Sequence, residues 1–152
     1  MGLLSFLGGK ESKVGEETIA YEGFELIYSQ GTSIVERYKK NGSYEPELID
    51  YIIKDIRSKQ RTAVFLDIGA NVGMISLSVL NREPEMKIFA FEPGPHQNEL
   101  FQKTIEHNKL GDKVTLSDVA LSNETGTAQF SIHASADASG DGFVDTERAG
   151  KT

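Results

Sequence analysis

The sequence predicts an α/β chain, a parallel sheet whose strands alternate with helices. Three observations predict it. Ala63-Val64-Phe65-Leu66 is a short apolar run with β-branched and aromatic members, the length a buried strand needs. Asp67 to Gly73 then places an acid and two glycines at its end, and Met74 to Leu80 continues with Ile75, Val79 and Leu80 on one helical face. Lys87-Ile88-Phe89-Ala90-Phe91-Glu92 is a second apolar run ending in an acid, again followed by a helical pattern.

Taken in order, the chain starts with MGLLSFLGGK, apolar but short, and residues 1–13 are expected to be a flexible N-terminus. The myristoylation pattern wants Ser or Thr at position six, where Phe6 stands. The basic start, longer apolar core and cleavage site of a secretory signal are not seen.

Residues 14–62 read as a cap. Thr18-Ile19-Ala20-Tyr21 and Phe24-Glu25-Leu26-Ile27-Tyr28 flank Glu22-Gly23, a hairpin pattern. Ser33 to Lys40 reads as a short helix closed by Asn41-Gly42. Pro46 suits the first turn of a longer helix, in which Leu48, Ile49, Ile52, Ile53 and Ile56 form an apolar stripe. Glu47, Asp50, Lys54, Asp55 and Arg57 form its solvated face.

The turn after the first sheet strand carries the chemistry. Strand, glycine turn and helix together let backbone approach a ligand and aim a helix N-terminus at it. A dinucleotide fingerprint wants glycine where Asn71 and Met74 stand, and a phosphate-cradling loop wants Gly-Lys-Ser/Thr; neither is met. What stands here is Asp67-x-Gly69-x-Asn71-x-Gly73. A carboxylate at a strand tip repels pyrophosphate but suits a ligand carrying an ammonium group, and S-adenosylmethionine is such a ligand. The bland alternative is a structural turn with a capping Asp or Asn.

Glu92 ends the second strand and is followed by Pro93-Gly94-Pro95. In an open parallel sheet, ligands bind outside the carboxyl ends of the strands, where an acid on the second strand holds ribose hydroxyls. Such bonds are charge-assisted. Glu92 alone is a weak signal; paired with Asp67 one βαβ step earlier it is a specific one.

FLDIGANVG, FAFEPGP and VALSNETG, in this order and spacing, resemble the FkbM family of S-adenosylmethionine-dependent methyltransferases. Tyr44-Glu45-Pro46-Glu47-Leu48 resembles the segment that often precedes the glycine turn there. The resemblance spans about Tyr44 to Gly126, and Thr104 departs from the family's usual Asn while Asn108 matches. It implies a Rossmann-like class I methyltransferase sheet with helices on both faces. It also implies a cofactor set of Asp67, Gly69, Ala70, Asn71, Gly73, Glu92, Pro93, Asp118, Val119 and Ala120. By resemblance Tyr44 and Glu45 line the cofactor mouth, against a plain helix-entry role.

Beyond the second strand, Pro95 to Leu110 reads as a helix burying Leu100, Phe101 and Ile105, ended by Gly111. Val114-Thr115-Leu116-Ser117 is the third strand. The resemblance places Asp118 after it as adenine reader, and an acceptor-only carboxylate suits an exocyclic amino group. Asn123 to Gly126 is a turn, and Thr127 to His133 alternates as a strand does, closing a cofactor-binding half domain over 63–133. Residues 134–152 are Ala, Ser, Asp and Gly with little apolar content, a mobile loop or tail. In the resembled family a loop here lies near the acceptor, which makes Ser139, Asp141 and Phe143 substrate-side candidates. His96 and His107 are expected at the surface, and His133 is a candidate general base. No spacing of the three histidines suits a metal.

At 152 residues the chain fits one domain. Its formal charge of −7 is read as excluding nucleic acid as main partner. The absence of cysteine excludes disulfides and thiolate metal sites and is compatible with a reducing cytoplasm. No apolar stretch approaches membrane-spanning length. The resembled family carries a later acidic segment that does not occur here, so the sheet is expected to stop after its third or fourth strand. The chain is then expected to be the cap plus the cofactor-binding half of a longer methyltransferase: a piece of it, a truncated reading frame, or a chain whose sheet a partner chain or homo-oligomer completes. The function expected by resemblance is methyl transfer from S-adenosylmethionine to a hydroxyl of a sugar or natural product. The rivals are a non-catalytic module acting through a partner and a nicotinamide-dependent enzyme.

Overall fold

The computed structural model describes residues 2–5, 15–59, 64–127, 130–131 and 142–143. Its central sheet is built from β4 (Val64–Ile68), β5 (Lys87–Phe91) and β6 (Val114–Ser117), all parallel in the order β4-β5-β6. Between them run α3 (Met74–Arg82) and α4 (Pro95–His107), so the chain is α/β and Rossmann-like. The register pairs Leu66 with Phe89 and Asp67 with Ala90, and Ala90 in turn with Leu116.

Pleating sends alternate residues to opposite faces. Phe65 and Asp67, Ile88 and Ala90, Val114 and Leu116 share one face, and helices cover it. The helix α2 (Pro46–Ser58) packs on α3 there, placing Ile49 and Ile53 in one core with Val79, Leu80, Phe101 and Ile105. The other face carries Val64, Leu66, Ile68 and Phe89, which are 53%, 51%, 60% and 41% exposed. Helices on both faces were expected; among the described residues they lie over one. Leu48 departs likewise. It is 46% exposed because the stripe of α2 meets α3 through Ile49 and Ile53 and leaves Leu48 at its margin.

Two strands and a short helix form a third layer. β2 (Glu16–Tyr21) and β3 (Phe24–Ser29) pair antiparallel around Glu22-Gly23, both at positive φ, the backbone a two-residue hairpin turn requires. Glu22 pairs with Arg82 at 3.2 Å and accepts from Asn81 Nδ2 at 2.9 Å, which seats the turn on the end of α3. The short helix α1 (Ser33–Asn41) ends at left-handed Gly42, whose N–H reaches the Tyr38 carbonyl. A second core joins this layer to the first: Tyr21, Leu26, Tyr28 and Val35 bury against Val72, Met74, Leu77 and Leu100. α3 is therefore buried nearly all round, and not on the single face its pattern suggested.

The outer edge of β3 has no strand beside it among the described residues; α4 serves instead. The Glu25 N–H donates to Asn108 Oδ1 at 3.0 Å, and Asn108 Nδ2 returns a bond to the Glu25 carbonyl at 2.8 Å. The Ile27 N–H donates to Thr104 Oγ1 at 3.0 Å. Two strand residues advance about 6.7 Å and one helical step of four advances about 6 Å, so the spacings match. Thr104→Val removes the acceptor and leaves a half-buried N–H unpaired. We expect a loss of about 1–3 kcal/mol, read from urea denaturation, with Thr104→Ser close to wild type.

Two termini differ from expectation. Gly2–Ser5 is a strand, β1, antiparallel to β7 (Val119–Ser122) and parallel to β8 (Gly126–Thr127), where a flexible start was expected. Pairing with β1 satisfies the open ladder groups that a short edge strand such as β7 presents. α4 closes before Gly111: Lys109 takes the left-handed turn at φ 55, and the Leu110 N–H reaches the Ile105 carbonyl at 2.9 Å. This is the six-to-one bond of a Schellman motif, with Lys in the position glycine usually fills. β9 (Phe130–Ser131) and β10 (Gly142–Phe143) form a two-stranded antiparallel pair.

Candidate functional site

The carboxyl ends of β4, β5 and β6 converge on one group of loops. The Gly69 and Ala70 N–H groups share the Phe91 carbonyl at 2.9 and 3.1 Å, and the Glu92 N–H bonds the Ser117 carbonyl at 3.0 Å. Asp67, the turn 69–73, Glu92-Pro93 and Asp118-Val119-Ala120 thus lie along one rim, as the sequence predicted for residues on three strand ends.

The glycine turn needs its glycines. Gly69 sits at φ +79 in open space, a conformation other residues pay to adopt. Gly73 sits at φ +90 directly under the Phe101 ring, so that a Cβ there collides with the ring. Between them Asn71 is itself left-handed at φ 51, and its Oδ1 accepts the Val72 N–H at 2.9 Å. Asn tolerates this region better than most residues.

Glu92 is 8% exposed and bridges two loops. Its Oε2 accepts the Asn71 N–H at 2.7 Å and its Oε1 accepts the Gly94 N–H at 2.8 Å. The same acid expected to read ribose hydroxyls therefore also holds the glycine turn against the loop that opens α4. A carboxylate offers about four acceptor positions, so both uses are compatible.

Asp67 is 7% exposed, and its Oδ2 accepts the Ser76 hydroxyl at 2.5 Å. Burial raises its pKa above the usual 3.8, partly offset by hydrogen bonds from the Ser76 hydroxyl and backbone. The folded protein therefore holds this proton more tightly than the unfolded chain. Asp67 opposes folding increasingly as pH rises from 3.8 through its raised value, and offers full negative charge only above it. Burial also raises the Tyr44 phenol, with the charges of Glu45 and Asp67 adding to it, which sets Tyr44 within electrostatic reach of the strand tip.

Sequence reasoning missed two things here, the role of Ser76 and the burial of His96. Ser76, fully buried, is the partner of Asp67; a hydroxyl inside an otherwise apolar helix was the signal. Glu45 takes the helix-entry place weighed for it above, standing at the N-terminus of α2 in the left-handed region at φ 45 and pairing with Arg37 at 3.2 Å. His96, expected at the surface, is half-buried with Nε2 2.5 Å from the hydroxyl of fully buried Ser29. It ties the cap to the first turn of α4. Asp118 is exposed between β6 and β7, with Val119 half-buried and Ala120 buried. His133, Ser139 and Asp141 lie outside the described residues. Among the described residues no cluster of His, Asp or Glu could hold a metal, and no helix is long and apolar enough to cross a membrane.

No family model matches the chain. The methyltransferase sdnD of Sordaria araneosa is 32% identical over 73 residues, which make up 48% of this chain and 28% of that protein. The chain thus spans less than a third of this relative's length. Among solved structures, the complex of aTrm5 with tRNALeu is 24% identical with a TM-score of 0.46, over 70% of this chain and 29% of that one. The tRNA m1G37 methyltransferase of M. jannaschii is 26% identical with a TM-score of 0.43, over 70% and 31%. One expectation is corrected by these findings. Net charge was read as excluding nucleic acid, yet aTrm5 is captured with tRNALeu. Charge summed over a whole chain does not decide what a local surface binds.

Proposed function

We propose that this chain is the S-adenosylmethionine-binding part of a methyltransferase of the FkbM kind, acting on a hydroxyl of a sugar or natural product. The observation that carries the reading is the pair of buried acids, Asp67 and Glu92, at adjacent strand ends beside the glycine turn. The likeness to the methyltransferase sdnD supports the same reaction class.

The residues fit the cofactor's chemistry group by group. Asp67 is a buried carboxylate at a strand tip, suited to the ammonium of the methionine end. Glu92, held by two backbone donors, is oriented for ribose hydroxyls. Asp118 follows β6 with an acceptor-only side chain, suited to the adenine amino group. When bound, the cofactor supplies an electrophilic methyl on its sulfonium. The chain's part is to hold that end in line with an acceptor, and proximity of this kind accounts for much of the acceleration.

Calorimetric titration with S-adenosylmethionine tests the reading, with NAD as control. Saturable binding of the methyl donor alone is expected. Because burial raises the pKa of Asp67, affinity is expected to weaken as pH falls through that raised value, since the protonated acid no longer attracts an ammonium. Binding of NAD in its place, or of neither ligand, overturns the reading. Donor binding without transfer to any hydroxyl, in a chain that co-purifies with a second one, favours the non-catalytic module.

A further inference from the structure

We propose that Ser76 is a positioning residue of this site: its hydroxyl holds the Asp67 carboxylate at the tip of β4, charged and oriented for a cationic group of the ligand. The ligand part rests on the cofactor reading above; the hold on Asp67 does not.

The geometry is specific. Ser76 lies in the first turn of α3, is fully buried, and donates to Asp67 Oδ2 at 2.5 Å. Asp67 is itself 7% exposed, so water contributes little to keeping it ionised. The groups that face it are Ser76 from α3 and Tyr44 from the segment entering α2, while the Glu92 carboxylate at the neighbouring strand end is turned to the Asn71 and Gly94 N–H groups. Tyr44 is uncharged at neutral pH and Glu92 is an acid. Among the described residues no cation stands among the influences on Asp67, which leaves the hydroxyl and backbone of Ser76 to favour its charged form. A buried carboxylate with neither cation nor donor takes up a proton instead.

The side chain two residues on shows that this is not generic helix polarity. Ser78 is equally buried but faces the cap, where its Oγ lies 2.7 Å from the Tyr21 hydroxyl. α3 therefore carries two buried serines with separate duties, one fixing the cap and one fixing the acid.

The experiment has two arms. Carbon-detected NMR titration of the Asp67 carboxyl compares wild type with Ser76→Ala, and the midpoint is expected to move upward. An unchanged midpoint overturns the proposal. The second arm measures affinity for S-adenosylmethionine and for 5′-methylthioadenosine, which lacks the amino-acid group. Ser76→Ala is expected to weaken the first about tenfold or more while sparing the second, with the loss growing as pH falls. Equal weakening of both shows a merely structural role and overturns the proposal. A wild-type chain that binds neither overturns the cofactor reading, and the carboxyl titration still decides the hold of Ser76 on Asp67. Ser78→Ala controls for loss of a buried hydroxyl on the same helix, and is expected to leave the Asp67 midpoint in place.

Discussion

Gly73→Ala is expected to cost about 2–6 kcal/mol of folding stability, the sum of two penalties at one atom. Gly73 sits at φ +90, outside the region L-residues adopt readily, and forcing a side chain there costs about 1–3 kcal/mol. The added Cβ also meets the ring of Phe101, which is fully buried in the core between α4 and the sheet. The ring has nowhere to retreat, and overpacking of this kind costs about 1–3 kcal/mol more. Urea denaturation of the variant reads the total. A loss under about 1 kcal/mol would mean that the turn relaxes, and the tight seat of Gly73 on Phe101 would be wrong. Gly69→Ala is the useful contrast. Its Cβ meets nothing, so only the backbone penalty applies and the loss should be smaller. Phe101→Leu combined with Gly73→Ala should recover part of the packing term and none of the backbone term.

This turn also shows what the sequence makes legible and why. Two glycines after a short apolar run told that a backbone reversal and a close approach were needed, because few other residues can provide either. The strand ends Asp67 and Glu92 were legible only as a pair: an acid closing one apolar run is common, and two of them one βαβ step apart are not. The hairpin around Glu22-Gly23 and the helix beginning at Pro46 followed from local turn and cap chemistry and stand as read. What escaped was non-local. Ser76 and Asp67 are nine residues apart, Glu92 and Asn71 twenty-one, Asn108 and Glu25 eighty-three. None of those bonds leaves a periodic trace. Leu48 and the face of Leu66, Ile68 and Phe89 escaped differently, since apolar pattern says that a residue can be buried, never what arrives to bury it.

Glu92→Ala is expected to fail twice over, in the free protein and toward the ligand. In the free protein its two oxygens accept the Asn71 and Gly94 N–H groups. Alanine leaves both donors without an acceptor at a site where Glu92 is only 8% exposed. Each orphaned donor costs about 1–3 kcal/mol, so a loss of about 2–6 kcal/mol follows unless water enters. Toward the ligand, the variant lacks the charge-assisted acceptor for ribose hydroxyls, and the turn it held is no longer pre-set. A drop in S-adenosylmethionine affinity of about a hundredfold or more is expected. Glu92→Gln separates the two effects. It keeps the shape but has one oxygen, so it serves one backbone donor and turns its own N–H toward the other. It should fall between wild type and alanine in stability. Hydrogen exchange at Asn71 and Gly94 reports which donor is released, and calorimetry reports the ligand. An unchanged dissociation constant in Glu92→Ala would remove Glu92 from the cofactor site and leave it a loop clamp alone. Faster exchange at both amides with affinity lost in parallel would show one carboxylate serving both ends.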